Sequence, residues 1–181
     1  MNIINKSQIR TFRNIFESID INKFSIFLNE NKQRASLGTE IKIFLSHKHD
    51  EIQELKDAVA LLKSCNVSIY IDHEDEGMPK ITSGITAARI KVKIRSSKKF
   101  ILLATEGSIA SKWCNWELGI GDAQKYLNNI ALLIFKNDNT IFSGSEYLEI
   151  YPVIGFNSNN TGFEVKYPSG IIYSLDTWLN L

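Results

Sequence analysis

Four short apolar runs constrain this chain most: IKIFLS at 41–46, VSIYI at 67–71, FILLA at 100–104 and IALLIF at 130–135. Runs that are apolar at nearly every position suit strands covered on both faces, whereas a sheet with one wet face alternates apolar and polar residues. Helices expected over 50–64, 84–95 and 108–128 supply the crossovers that parallel strands require. The expected fold is therefore α/β, a doubly wound parallel sheet. After Phe135 the pattern weakens. Asn, Ser and Gly crowd 137–145 and 155–162, before a last expected strand in GFEVKYP and a terminal helix in YSLDTWL.

Residues 1–36 read as a separate helical extension. Ile9, Phe12, Phe16 and Ile19 recur at helical spacing, and Phe24, Phe27 and Leu28 continue after Asp20, which suits a cap between two short helices. The polar stretch 29–40 reads as a linker, and the main domain is expected over 41–181. A chain of 181 residues with 44% hydrophobic positions can build one such domain plus an appendage.

Charge and composition narrow the partners. With 21 Lys and Arg against 20 Asp and Glu, the net charge of +1 argues against a binder held to nucleic acid or anionic membrane by bulk charge. The first thirty residues carry no signal-peptide core and the chain has no apolar run of spanning length, so a cytoplasmic address is expected. Two cysteines, Cys65 and Cys114, form no disulfide framework and no zinc spacing.

In an open parallel sheet, ligands bind beyond the carboxyl ends of the strands. Ser46, His47, Lys48 and His49 follow the first strand; Asp72, Glu74, Asp75 and Glu76 follow the second; Thr105, Glu106, Gly107 and Ser108 follow the third. The histidines have strand-exit spacing with no HExxH pair, so no metal is expected. There is no GxxxxGK[ST] loop and no GxSxG elbow, and Gly119, Gly121 and Gln124 make a failed GxGxxG inside a helix. Cys114 sits in a tryptophan-rich helix, where a packed thiol is the better reading. Residues 80–99 hold seven Lys or Arg and no acid, which suits either a solvated helix face or pairing with the acidic loop of a neighbouring molecule.

The most informative segment is SKWCNWELGIGD, 111–122, which sets Trp113 and Glu117 four apart on one helix face beside Ile120. An acid on an apolar stripe has two readings. It can reach the helix edge and accept a hydrogen bond from a neighbouring loop, or it can be a carboxylate held in a cleft. Beside an aromatic platform, a cleft carboxylate can bind a ribose diol and stabilise the positive charge of a breaking N-glycosidic bond.

Three segments, KIFLSHKHDE, SIYIDHEDEGMPKITSGI and SKWCNWELGIGDAQ, resemble in order and spacing three boxes of the Toll/interleukin-1 receptor (TIR) family. The resemblance covers about 41–181 and implies a flavodoxin-like TIR fold; EVKYPSGIIYSLDTWL is similar to the closing strand and helix of bacterial members, several of which act in anti-phage defence. In the enzymatic branch a glutamate of this helix is required to cleave NAD+ to nicotinamide and an ADP-ribose product, and the matching position is Glu117. The resemblance further implies that Trp113 lines the ligand and that Ser46, His47, Lys48 and His49 contact the nucleotide, with Glu76 as the match in the so-called BB loop. NAD+ is then substrate, and no separate cofactor is implied.

The competing class is a TIR adaptor that self-associates through the BB loop and the basic helix at 84–95, without catalysis. Retention of Glu117 and Trp113 favours the enzyme. A third reading is a ribosyl hydrolase acting on another nucleoside or nucleotide. An enzymatic member would hand its nucleotide product to a downstream effector.

Overall fold

A computed structural model describes residues 3–16, 41–63, 65, 67–72, 83–142 and 146–181. The elements in chain order are β1 (Ile4–Asn5), α1 (Lys6–Phe16), β2 (Ile41–Ser46), α2 (Ile52–Lys63), β3 (Val67–Tyr70), α3 (Gly84–Ser96) and β4 (Lys99–Ala104). They continue with α4 (Glu106–Ala110), α5 (Lys112–Lys125), β5 (Ile130–Lys136), β6 (Val153–Phe156), β7 (Phe163–Lys166), β8 (Ile172–Ser174) and α6 (Leu175–Asn180).

The sheet runs in the order β3-β2-β4-β5-β6-β7-β8. Pairing is parallel from β3 through β6 and antiparallel across β6, β7 and β8. The five parallel strands thus have the 2-1-3-4-5 order of a flavodoxin-like fold. The direction of winding reverses between β2 and β4, which makes the carboxyl ends of those two strands the crevice where a ligand is expected.

The continuous apolar runs are explained by two cores, one on each face. Ile43 and Leu45 of β2, Ile101 and Leu103 of β4, and Ala131, Leu133 and Phe135 of β5 face a core closed by Leu55, Ala58, Val59 and Leu62 of α2 and Trp178 of α6. The alternate residues Phe44, Phe100, Leu102, Leu132 and Ile134 face Ile90 and Ile94 of α3 and Cys114 and Leu118 of α5. Each fully buried Leu, Ile or Phe contributes about 1.5–3 kcal/mol relative to exposure. Gly121 lets α5 lie close on β4, since a Cβ there would stand 3.0 Å from the Phe100 ring.

Two expectations change. The first part of the segment read as a separate helical piece, residues 3–16, packs into the common core. Ile4 and Ile9 are buried there, β1 pairs with the end of β5, and Phe12 meets Phe163 edge-on at 5.0 Å. The second expected helix and the linker lie outside the described residues. The single helix expected over 108–128 is divided: Ser111 caps α5 by accepting from the Cys114 backbone N–H at 3.3 Å, and Tyr126, with φ 58°, ends it. Strands β6 and β8 lie in a region where sequence periodicity offers only one strand, GFEVKYP, realised as β7.

Candidate active site

The pocket opens at the carboxyl ends of β2 and β4. It has a volume of about 370 Å³ and is lined by His47, Lys48, His49, Asp50, Ser111, Trp113 and Cys114. The first four leave β2 as a short turn, closed where the Glu51 N–H donates to the Lys48 carbonyl at 3.0 Å. Thr105, at the end of β4, donates to Glu51 Oε2 at 2.5 Å and so ties this turn to the neighbouring strand. The fit is tight at Gly107, where a Cβ would fall 2.3 Å from Glu51 Oε1 and 2.9 Å from the Lys48 Cδ.

Glu117 lies on the buried stripe of α5. Cys114, Glu117, Leu118, Gly121 and Lys125 follow the 3.6-residue repeat, and Glu117 occupies a position where an apolar residue would ordinarily sit. It is 2% exposed. Ser46 Oγ donates to its Oε2 at 2.5 Å. Its other oxygen, Oε1, is buried with no hydrogen-bond partner among the described residues. A buried carboxyl oxygen left without a partner costs about 1–3 kcal/mol and so calls for an explanation, of which a catalytic role is one.

Burial, and then the charge of Asp72, push the Glu117 carboxyl up to about 8; the Ser46 hydroxyl, His49 and Trp113 pull the other way. The free site at neutral pH therefore holds the acid mostly protonated. A cation arriving beside it favours the carboxylate, so the group is tuned to respond to positive charge.

Asp72, at the exit of β3, is mostly buried and bonded to His49, with His49 Nε2 2.9 Å from Asp72 Oδ2. That contact raises the His49 pKa above its ordinary value. The His47 ring, buried, lies 5.6 Å from that of His49, with its Nδ1 3.4 Å from the Leu45 carbonyl. Lys48 pairs with Asp50 at 3.0 Å in solvent. Trp113 stacks on Trp116 at 5.0 Å, so the pocket has one rigid aromatic wall. Cys114 is buried and its thiol is pushed up to about 11, which leaves it an inert packed group.

Of the residues singled out in sequence, His47, Lys48, His49 and Trp113 line the pocket, and Ser46 and Glu117 meet beside it. Glu76 lies outside the described residues. Neither Ser46 nor Glu117 is among the residues lining the pocket, and the Ser46 hydroxyl donates to Glu117. Asp72 and Glu51 carry parts of the site that sequence reasoning did not single out. Asp72 was one acid among four in its loop, and only strand pairing shows that it faces His49. Among the described residues no three His, Cys, Asp or Glu side chains form a metal set, and no helix is long and apolar enough to cross a membrane.

The sheet is flavodoxin-like, and a buried glutamate on α5 faces the exit of its first parallel strand. The sequence is similar to two curated proteins. One, from Bacillus cereus (strain MSX-D12), is described as a probable 3' cyclic ADP-D-ribose synthase, ThsB', and is 28% identical over 127 residues, 68% of this chain and 66% of that protein. The other, from Methanobrevibacter olleyae, is described as a probable 2' cyclic ADP-D-ribose synthase, TcpO, and is 30% identical over 107 residues, 59% of this chain and 30% of that protein. The chain thus spans just under two thirds of the first relative and under a third of the second. No family model matches the chain. Both relatives are described as probable cyclic ADP-D-ribose synthases, in keeping with the ADP-ribose chemistry that the resemblance of the three segments implies.

Proposed function

We propose that this protein cleaves the nicotinamide N-glycosidic bond of NAD+ and forms a cyclic ADP-ribose-type product, with Glu117 as the catalytic carboxylate. The observation that carries the reading is the buried Glu117, fixed through one oxygen by Ser46 and left with the other unsatisfied. Such a group binds a ribose hydroxyl and stabilises the charge that grows on the anomeric carbon as nicotinamide leaves. The substrate brings its own positive charge, and this charge offsets the cost of ionising a carboxyl whose pKa is about 8.

Internal capture of the ribosyl cation would be favoured by the aromatic wall that Trp113, backed by Trp116, gives the pocket. The names of both relatives point to cyclic products, one 2' and one 3'. Linear ADP-ribose is the expected by-product of capture by water.

A role for the product as a signal in anti-phage defence, read by a downstream effector, belongs to the same proposal, as does self-association. Ile85 and Val92 project from α3 at 63% exposure each, an apolar pair on the basic helix that suits contact with a second copy. Chromatography of NAD+ incubated with concentrated protein tests the reading: nicotinamide release together with a product of cyclic mass supports it. ADP-ribose as the sole product would limit the activity to hydrolysis.

A further inference from the structure

Cleavage of the glycosidic bond leaves one chemical step without an owner. When the C1'–N bond breaks, its electron pair returns to the pyridinium ring, and neutral nicotinamide departs from a ribosyl cation. A hydroxyl that then bonds to C1' through oxygen must lose its proton. Glu117 is poorly placed for that duty, since it is buried, bonded by Ser46 and engaged with the ribose in the reading above. A second group has to accept the proton.

We propose that His49, oriented by Asp72, is the general base that removes this proton. The inference rests on the glycosidic cleavage proposed above and extends it to the capture step. His49 lines the same pocket as Trp113, and its side chain is 55% exposed while that of Asp72 is 10% exposed. Their contact is 2.9 Å, from His49 Nε2 to Asp72 Oδ2. An ionised carboxylate only accepts, so Nε2 carries the hydrogen, and the neutral ring holds its basic lone pair on Nδ1. A buried acid that fixes the tautomer of an imidazole at a pocket wall is the arrangement of an oriented general base.

The surrounding charges agree with this role. Among the described residues, the groups that face the imidazole include Asp72 from the end of β3, Glu117 from α5, Asp50 and Lys48 from its own turn, and the His47 ring. The three acids strengthen it as a base, the Asp72 hydrogen bond most of all, and burial opposes them. In the step itself the hydroxyl oxygen bonds to C1', its proton passes to Nδ1, and the imidazolium returns that proton to solvent.

A pyridine nucleophile separates the two steps. 3-Acetylpyridine captures the same cation through a ring nitrogen that has no proton to lose, so exchange into NAD+ needs Glu117 and not a base. In His49→Ala, the ratio of hydroxyl capture, read as cyclic product plus ADP-ribose, to pyridine exchange is expected to fall about 100-fold, the lower range for general-base catalysis, with exchange itself reduced only as far as the lining residue contributes to NAD+ binding and Glu117 ionisation. Asp72→Asn falls between the two, and added imidazole partly restores hydroxyl capture in His49→Ala. Retained exchange also shows that the variant is folded and binds NAD+.

Exchange and hydroxyl capture falling together without imidazole rescue would overturn the proposal, as would hydroxyl capture indifferent to His49. Wild-type protein that yields neither nicotinamide nor exchange product would remove the cleavage reading itself. Exchange in the wild type with no effect of His49 removes this inference alone.

Discussion

Ser46 Oγ donates a 2.5 Å hydrogen bond to Glu117 Oε2, joining the end of β2 to the middle of α5 across 71 positions of sequence. The bond favours the ionised carboxylate, whereas burial and Asp72 oppose it. Removing it in Ser46→Ala is expected to move the Glu117 pKa above its value of about 8. The acid limb of the pH profile for nicotinamide release should shift to higher pH, with the loss of rate at pH 7 largely recovered near pH 9. A profile that drops uniformly at all pH values would show that Ser46 acts by shape alone.

Substrate binding should release a proton. Glu117 begins mostly protonated at pH 7 and becomes a carboxylate beside the cationic nicotinamide ring. NAD+ affinity is therefore expected to rise with pH and level off above about 8. Calorimetry in two buffers of different ionisation enthalpy measures the proton directly, and equal heats in both would contradict the coupling.

Glu117→Gln should stabilise the fold while removing activity. The folded pKa, about 8, stands above the ordinary glutamate value of 4.5, so the native state holds this proton more tightly. The stability it contributes is complete below about 4.5 and is lost as pH rises through about 8. Gln keeps the shape without the charge. The two proteins should melt alike near pH 4 and diverge toward pH 8, by about 2–4 °C for each kcal/mol of ionisation cost removed. A melting difference that is constant with pH would mean that packing, not ionisation, sets it.

The turn after β2 is held from behind. Thr105→Val removes the bond to Glu51, and Gly107→Ala forces the Glu51 and Lys48 side chains to move. Both changes are expected to raise the KM for NAD+ by about tenfold, a loss of roughly 1.4 kcal/mol, with a smaller effect on kcat because Glu117 stays in place. Steady-state kinetics decide it, and a fall confined to kcat would assign the turn a role in chemistry.

The parallel α/β sheet covered on both faces was legible because apolar runs and helical spacing carry it directly, whereas those signals do not say which strands are neighbours, and the flavodoxin-like order came only with the resemblance. Glu117 was legible as an acid on an apolar stripe, but its burial was not, since spacing allows either a helix edge or a core position. Ser46 decided the matter, and a contact across 71 positions leaves no local trace. Asp72 is an equal case: its partner His49 comes from the neighbouring strand. The N-terminal segment misled because its apolar residues have helical spacing whatever they pack against. Ile4 and Ile9 in fact complete the main core.

That packing makes its own prediction. Ile9 is fully buried, so Ile9→Ala should cost about 2–5 kcal/mol and lower the midpoint of denaturant unfolding in a single transition. A separate early transition would show that residues 3–16 melt on their own.

The most direct measurement is nicotinamide release from NAD+ by concentrated wild-type protein, with Glu117→Gln beside it and the fold of both verified by circular dichroism. Release by the wild type and its absence in a folded Glu117→Gln protein is the result expected of a catalytic carboxylate. Equal release by the two, or none by the wild type even when copies are tethered together, would contradict it.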